Sequence, residues 1–221
     1  MIKNNTAVLL AGLACMMLSA VANASPITLT NFGWTDGYRT VTLAGPRSVS
    51  VYAGQFSFDN SDGGKIEAFC IDVLTNLQTP GHYDVVAAGD YSGLTDDQRA
   101  LIGKLYDHHY ESITGATSSA AFQVALWEII YNPGSLDLSA GFRVTNTSGY
   151  GAAAKSLAQE WLNGLASKSL LGFYELSVLA PVSGHVNQTL ITGVRVPEPG
   201  TLALLGLGLL GAGAVRRRRA H

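Results

Sequence analysis

The sequence is short of cysteine, of basic charge and of long apolar runs, and each shortage excludes something. Only Cys15 and Cys70 occur in 221 residues. Cys15 lies in an N-terminal stretch that holds Lys3, an apolar run from Ala7 to Val21, and Ala22-Asn23-Ala24 before Ser25. A basic residue, a short apolar run and a small-x-small end make a secretory signal peptide over residues 1–24, with a run too short for a permanent span. A lipoprotein reading of Cys15 fails because Gly12 stands where the leucine three residues upstream belongs. Once the signal leaves, Cys70 is the one remaining cysteine. That excludes an intrachain disulfide, and an oxidising compartment demands that such a thiol be buried, dimerised or used.

Basic charge is scarce where it would matter. Of 14 lysines and arginines, Lys3 and the four arginines near the C-terminus lie outside residues 25–199. That leaves nine against all 16 carboxylates, a net charge of about −7. A body this acidic lacks the footprint that nucleic acid requires. Metal-ligand spacing is also missing. His108 and His109 are adjacent and diverge on a helix, and Asp59-Asn60-Ser61-Asp62-Gly63-Gly64 would place Cys70 where a calcium loop needs a bidentate glutamate. No oxyanion or nucleophile motif accompanies Cys70, so a cysteine hydrolase using His82, His108 or His185 has no support beyond the residue types. The chain reads as a non-enzyme with no metal and no cofactor.

What is present begins at the C-terminus. Val196-Pro197-Glu198-Pro199-Gly200 precedes an apolar stretch from Thr201 to Val215 and then Arg216, Arg217, Arg218 and Arg219. As a helix that stretch is about 22 Å long, short of a hydrocarbon core of about 30 Å, a difference that snorkelling arginines and local thinning close. The arginines put this end on the cytoplasmic side and the body outside. The ending resembles the PEP-CTERM sorting signal of Gram-negative bacteria that make exopolysaccharide: Pro-Glu-Pro, a hydrophobic helix and a basic cluster, in that order. The resemblance implies recognition by an exosortase, cleavage near Pro197, Glu198 and Pro199, and only transient residence in the inner membrane. The expected organisation is a signal peptide (1–24), one extracytoplasmic domain (25–196) and a sorting signal with a short transmembrane helix (197–221).

Within the body, Tyr38 to Val86 is strand-like, with YRTVTL, SVSVYAGQFSF and KIEAFCIDVL set between Gly-rich turns. Three helices follow. Thr95 to Gln98 is a capping box that opens the first, through about Tyr110. The second starts near Thr117 or Ser118 and stops at Asn132-Pro133-Gly134. The third keeps Ala154, Leu157, Ala158, Trp161, Leu162 and Leu165 on one stripe. GFYELSVLAP and QTLITGVRV then return to strands. Strands, helices, strands predict an α+β fold: a largely antiparallel sheet or sandwich with about three helices packed against it.

In the second helix, Phe122, Ala125, Leu126, Ile129 and Ile130 form the core-facing stripe, and Gln123 and Trp127 sit one turn apart beside it. A carboxamide carried into an apolar interior costs about 1–3 kcal/mol if unpaired. It therefore needs a partner. Cys70 lies 53 positions earlier in the strand-like Phe69-Cys70-Ile71-Asp72-Val73. If the helix packs on the sheet, thiol and carboxamide can meet, and attack on the side-chain carbonyl would expel ammonia and leave an internal thioester shielded by Trp127. Phe69-Cys70 with the later Gln123-Val124-Ala125-Leu126-Trp127 resembles the paired motifs of bacterial surface thioester domains, in which an aromatic-Cys segment is followed by Thr-Gln-x-Ala-x-Trp. Phe122 stands here at the threonine. That resemblance implies an adhesin-like protein in which Cys70 and Gln123 form the bond and an amine- or hydroxyl-bearing surface protein or polysaccharide is captured. The place implied is the cell surface or the exopolysaccharide matrix of a biofilm. The alternative is a structural or carbohydrate-interacting matrix protein in which Cys70 is an inert buried thiol, Gln123 caps a backbone group and Trp127 is plain core.

Overall fold

A computed structural model describes residues 25–45 and 48–197. The signal peptide, Glu198, Pro199, the apolar C-terminal stretch and Arg216 to Arg219 lie outside the described residues. Among those described, no helix is long and apolar enough to cross a membrane.

Among the described residues, seven strands and three helices follow one another in the expected order, except that a two-residue strand, which the sequence did not predict, falls between the second and third helices. The strands are β1 (Ile27–Ala44), β2 (Val49–Asn60), β3 (Lys65–Cys70), β4 (Gly81–Ala87), β5 (Arg143–Val144), β6 (Tyr174–Pro181) and β7 (Leu190–Arg195). The helices α1 (Asp96–His109) and α2 (Ala116–Tyr131) lie between β4 and β5, and α3 (Gly149–Leu162) follows β5. Every strand pairing is antiparallel. The α+β reading with a largely antiparallel sheet holds.

The sandwich option does not. Pairing runs β1-β2-β3-β7-β6-β4 and back to β1, so six strands close into a ring, with β5 added at the far end of β1. β1 makes this possible because it is long and bent. Its first residues, Ile27 to Leu29, pair with β4, while Leu29 to Leu43 run along β2 through two register shifts. Asn31 and Gly37, both at positive φ, sit at those shifts. Closure through β1 leaves no second sheet to stack on, while β2 keeps an edge without a strand partner on its β3 side from Val49 to Gln55, where Gln55 N–H donates to Ser119 Oγ of α2 at 2.8 Å.

Hairpin and capping chemistry fix the local structure as the sequence predicts. Gly63 and Gly64 take positive φ in the turn between β2 and β3, where Gly63 N–H donates to Asn60 O at 2.9 Å. At the start of α1 the Thr95 side chain accepts from Gln98 N–H at 3.3 Å, and the Gln98 side chain accepts from Thr95 N–H at 2.8 Å. Gln98 also donates to Ile130 O at 2.8 Å, tying the head of α1 to the tail of α2.

The stripe predicted for α2 understates its burial. Residues Ser119 to Ile129 are all buried, because α2 packs on α3, on α1 and on β1 and β2 together. A helix apolar all round is a central helix. The KIEAFCIDVL strand is shorter than expected. It stops at Cys70, where Ile71 N–H donates to Thr189 O at 3.0 Å and the Asp72 carboxylate accepts from Leu74 N–H at 3.0 Å, bending the chain into a turn.

Candidate functional site

Cys70 is the last residue of β3 and is 1% exposed. On one side β3 pairs with β7, Cys70 opposite Leu190. On the other, β2 accompanies β3 only as far as Ala68, opposite Phe56. The N–H and C=O of one strand residue point to the same side, so Cys70 needs a partner that β2 no longer supplies. Gln123, fully buried on α2, is that partner. Cys70 N–H donates to Gln123 Oε1 at 2.9 Å, and Gln123 Nε2 donates to Cys70 O at 2.7 Å. The carboxamide thus stands in for a neighbouring strand's peptide group. The misfit glutamine and the one cysteine of the body are brought together.

Trp127, one turn further along α2, is 2% exposed, and its indole N–H is buried without a hydrogen-bond partner. Burial pushes the Cys70 thiol up to about 12, while the Asp72 backbone N–H and the Trp127 side chain pull in the opposite direction. The pull of Trp127 is that of a side-chain hydrogen bond to the sulfur, one that falls short of full hydrogen-bond geometry at Nε1. No histidine is among the groups that set the ionisation of this thiol. His82 bonds Thr28 Oγ1 at 3.0 Å and His108 bonds Ser169 O at 2.9 Å.

Further residues enclose the site, and of these sequence reasoning missed Tyr83, Tyr131 and Glu128. Phe122 packs on Phe69 with its ring tilted by 35° and centroids 4.7 Å apart, and meets Tyr106 edge-on at 5.0 Å, so it joins β3 to α1. Tyr83 of β4 is 1% exposed with an unpartnered hydroxyl. Its ionisation is opposed by burial and then by charge on Cys70. Tyr131 Oη accepts from Val73 N–H at 3.0 Å and clamps the segment after Cys70. Glu128, beside Trp127 in sequence, is fully buried. Its Oε1 accepts from Asn132 Nδ2 at 2.8 Å and its Oε2 has no partner. Burial raises its carboxyl to about 7. The sequence signal for Glu128 was a lone charge inside an apolar helix, easily read as an exposed position.

Chemically, the arrangement holds an amide carbonyl against the backbone of a buried cysteine, with its oxygen already accepting that residue's N–H. That N–H is placed to receive negative charge on the oxygen when a nucleophile adds to the carbonyl carbon.

Residues 195–219 match the PEP-CTERM protein-sorting motif. The chain therefore carries the signal of an exported protein with a C-terminal membrane-anchoring segment. Pro197 is the last described residue of that motif. No curated protein matches the chain. Its structural neighbours are bacterial surface domains. The N-terminal domain of the Streptococcus pyogenes pilus tip adhesin Cpa aligns with a TM-score of 0.47 at 13% identity, over 74% of this chain and 96% of its own. The N-terminal thioester domain of the fibronectin-binding protein SfbI from Streptococcus pyogenes gives 0.45 at 13%, over 76% and 100%. The thioester domain of the Staphylococcus aureus TIE protein gives 0.42 at 11%, over 76% and 78%.

Proposed function

We propose that this exported protein is a surface or matrix adhesin that attaches covalently to its partner through an internal thioester between Cys70 and Gln123, without turnover. One observation carries the reading. A fully buried carboxamide is held against the only cysteine of the body by two hydrogen bonds, of 2.9 and 2.7 Å, to the backbone of that same cysteine. Closing the bond joins sulfur to the carbonyl carbon and releases the Gln123 nitrogen as ammonia. An amine or hydroxyl on a surface protein or a polysaccharide then takes the acyl group and frees the thiol. An exosortase processes the sorting signal around Pro197, Glu198 and Pro199. The body leaves the inner membrane for the cell surface or extracellular matrix of a Gram-negative bacterium.

A labelling experiment tests this. The folded exported protein is incubated with a fluorescent primary amine, denatured and run on a gel. Covalent label on the wild type, absent from Cys70→Ala and Gln123→Ala, supports capture. Equal labelling of all three, or none of any, removes it.

A second reading has its own observations. The carboxamide completes a strand-like pairing, which is a sufficient structural reason for Gln123. The β1–β2 hairpin also carries a contiguous row of rings, Phe32, Trp34, Tyr38 and Tyr52, three of them exposed. Rings with an apolar face and a polar tip suit the apolar faces of sugars. In that reading the body is a carbohydrate-interacting matrix protein, Cys70 stays a thiol, and the amine leaves no label.

A further inference from the structure

We propose that the indole N–H of Trp127 is a hydrogen-bond donor to the Cys70 sulfur while that sulfur carries negative charge, so that Trp127 takes part in making and opening the bond as well as covering it. The proposal rests on the thioester reading above.

Its geometry starts from α2. Gln123 and Trp127 are four residues apart, hence on one helix face, and Gln123 grips the backbone of Cys70. The indole is 2% exposed and Nε1 has no partner. A buried N–H left open costs about 1–3 kcal/mol, so its persistence asks for a reason. The sulfur supplies one. A thiol is a poor acceptor and a thiolate a strong one. The donor is therefore only weakly engaged by a neutral sulfur, thiol or thioester, and is satisfied as charge builds on it, which is the differential that speeds a reaction. The pull of Trp127 on the thiol, against the effect of burial, has the same direction.

Both steps balance without an oxidant or reductant. In closure, sulfur adds to the Gln123 carbonyl carbon, the C–N bond breaks, and the thiol proton leaves on the nitrogen as part of ammonia. In opening, an amine nitrogen adds to the same carbon and the C–S bond breaks with its electron pair on sulfur. The thiolate, held by the indole, then takes the proton that the amine gives up. Throughout, the Cys70 backbone N–H faces the carbonyl oxygen.

The test uses the exported full-length protein with methylamine as probe, and reads the rate at which methylamine appears on Gln123 by peptide mass. Trp127→Phe keeps an aromatic cover and removes the donor. A second variant carries 3-benzothienylalanine at position 127, which replaces the ring N–H by sulfur and preserves the shape of the core. Both should react on the order of 10²-fold more slowly than wild type. If Trp127 were a cover and nothing more, Trp127→Phe would take up methylamine as fast or faster and lose its thioester to water sooner. Wild-type rates in the benzothienyl variant overturn the proposal even if Trp127→Phe fails to fold. A wild type that incorporates no methylamine at Gln123 overturns the thioester reading itself, a failure distinct from unchanged rates in the variants.

Discussion

Replacing Glu128 by glutamine tests how α2 is buried, and with it the setting of Gln123 and Trp127. The Glu128 carboxyl is raised from 4.5 to about 7, first by burial, with Asn132 and the backbone at Asp137 acting in the opposite direction. A carboxyl with a raised pKa stabilises the fold fully below its unfolded pKa. The stability is lost as pH rises, because the unfolded chain then releases its proton more readily than the native one. The loss runs from about pH 4.5 to about pH 7. At roughly 1.4 kcal/mol per unit it amounts to about 3 kcal/mol. His109 acts the other way. Burial against Trp161, then Lys168 and His108, lowers it from 6.5 to about 4, so it adds stability as pH rises through that window. The wild-type curve alone therefore mixes two opposed slopes. The informative quantity is the difference between wild type and Glu128→Gln in urea unfolding free energy, measured from pH 4 to pH 8. Glutamine keeps the bond from Asn132 and cannot ionise. The difference should be near zero at pH 4 and reach about 3 kcal/mol in favour of the variant by pH 8. A difference that does not change with pH would refute the burial of this carboxylate and the packing of α2 derived from it.

Two further perturbations probe the same framework. Gln123→Leu keeps the volume and strands the N–H and C=O of Cys70, so unfolding free energy should fall by roughly 2–5 kcal/mol, measured by urea titration. A loss below half a kilocalorie would mean that those backbone groups find other partners. Gly54→Ala would place a methyl 2.6 Å from Gly37 O and 3.2 Å from Tyr38 Cα, both backbone atoms of β1 that cannot swing away. A cost of about 1–3 kcal/mol and a lower melting temperature should follow, and an unchanged melting temperature would contradict the close approach of the two strands.

The helices were legible because their signals are local. Thr95 and Gln98 announce a capping box within four residues, and Ala154, Ala158, Trp161 and Leu162 repeat on one face. The closure of the ring was not legible. It depends on three residues, Ile27 to Leu29, that pair with β4 more than fifty positions away, and a three-residue segment carries no usable period. β5 is shorter still. At the candidate site, the spacing of Phe69-Cys70 and Gln123-x-Ala125-x-Trp127 pointed to the meeting of cysteine and glutamine. It did not reveal that the carboxamide would hold the backbone of Cys70. That contact exists because β2 parts from β3 at Ala68, a long-range event in the sheet. The burial of Glu128 was hidden for a related reason. A helix pattern states which face is apolar, but how many neighbours surround it is decided by α1, α3 and the β1–β2 hairpin together.

The thioester is tested most directly by mass. The exported protein, freshly purified at mildly acidic pH, is weighed intact beside Cys70→Ala and Gln123→Ala, and each is then mapped by peptides across positions 70 and 123. The expected result is a wild type lighter by one ammonia than its own sequence requires, with both variants at full mass and, in any hydrolysed fraction, glutamate at position 123. A wild type at full mass, with free Cys70 and unaltered Gln123 in every molecule, would contradict covalent capture and leave the pair as packing.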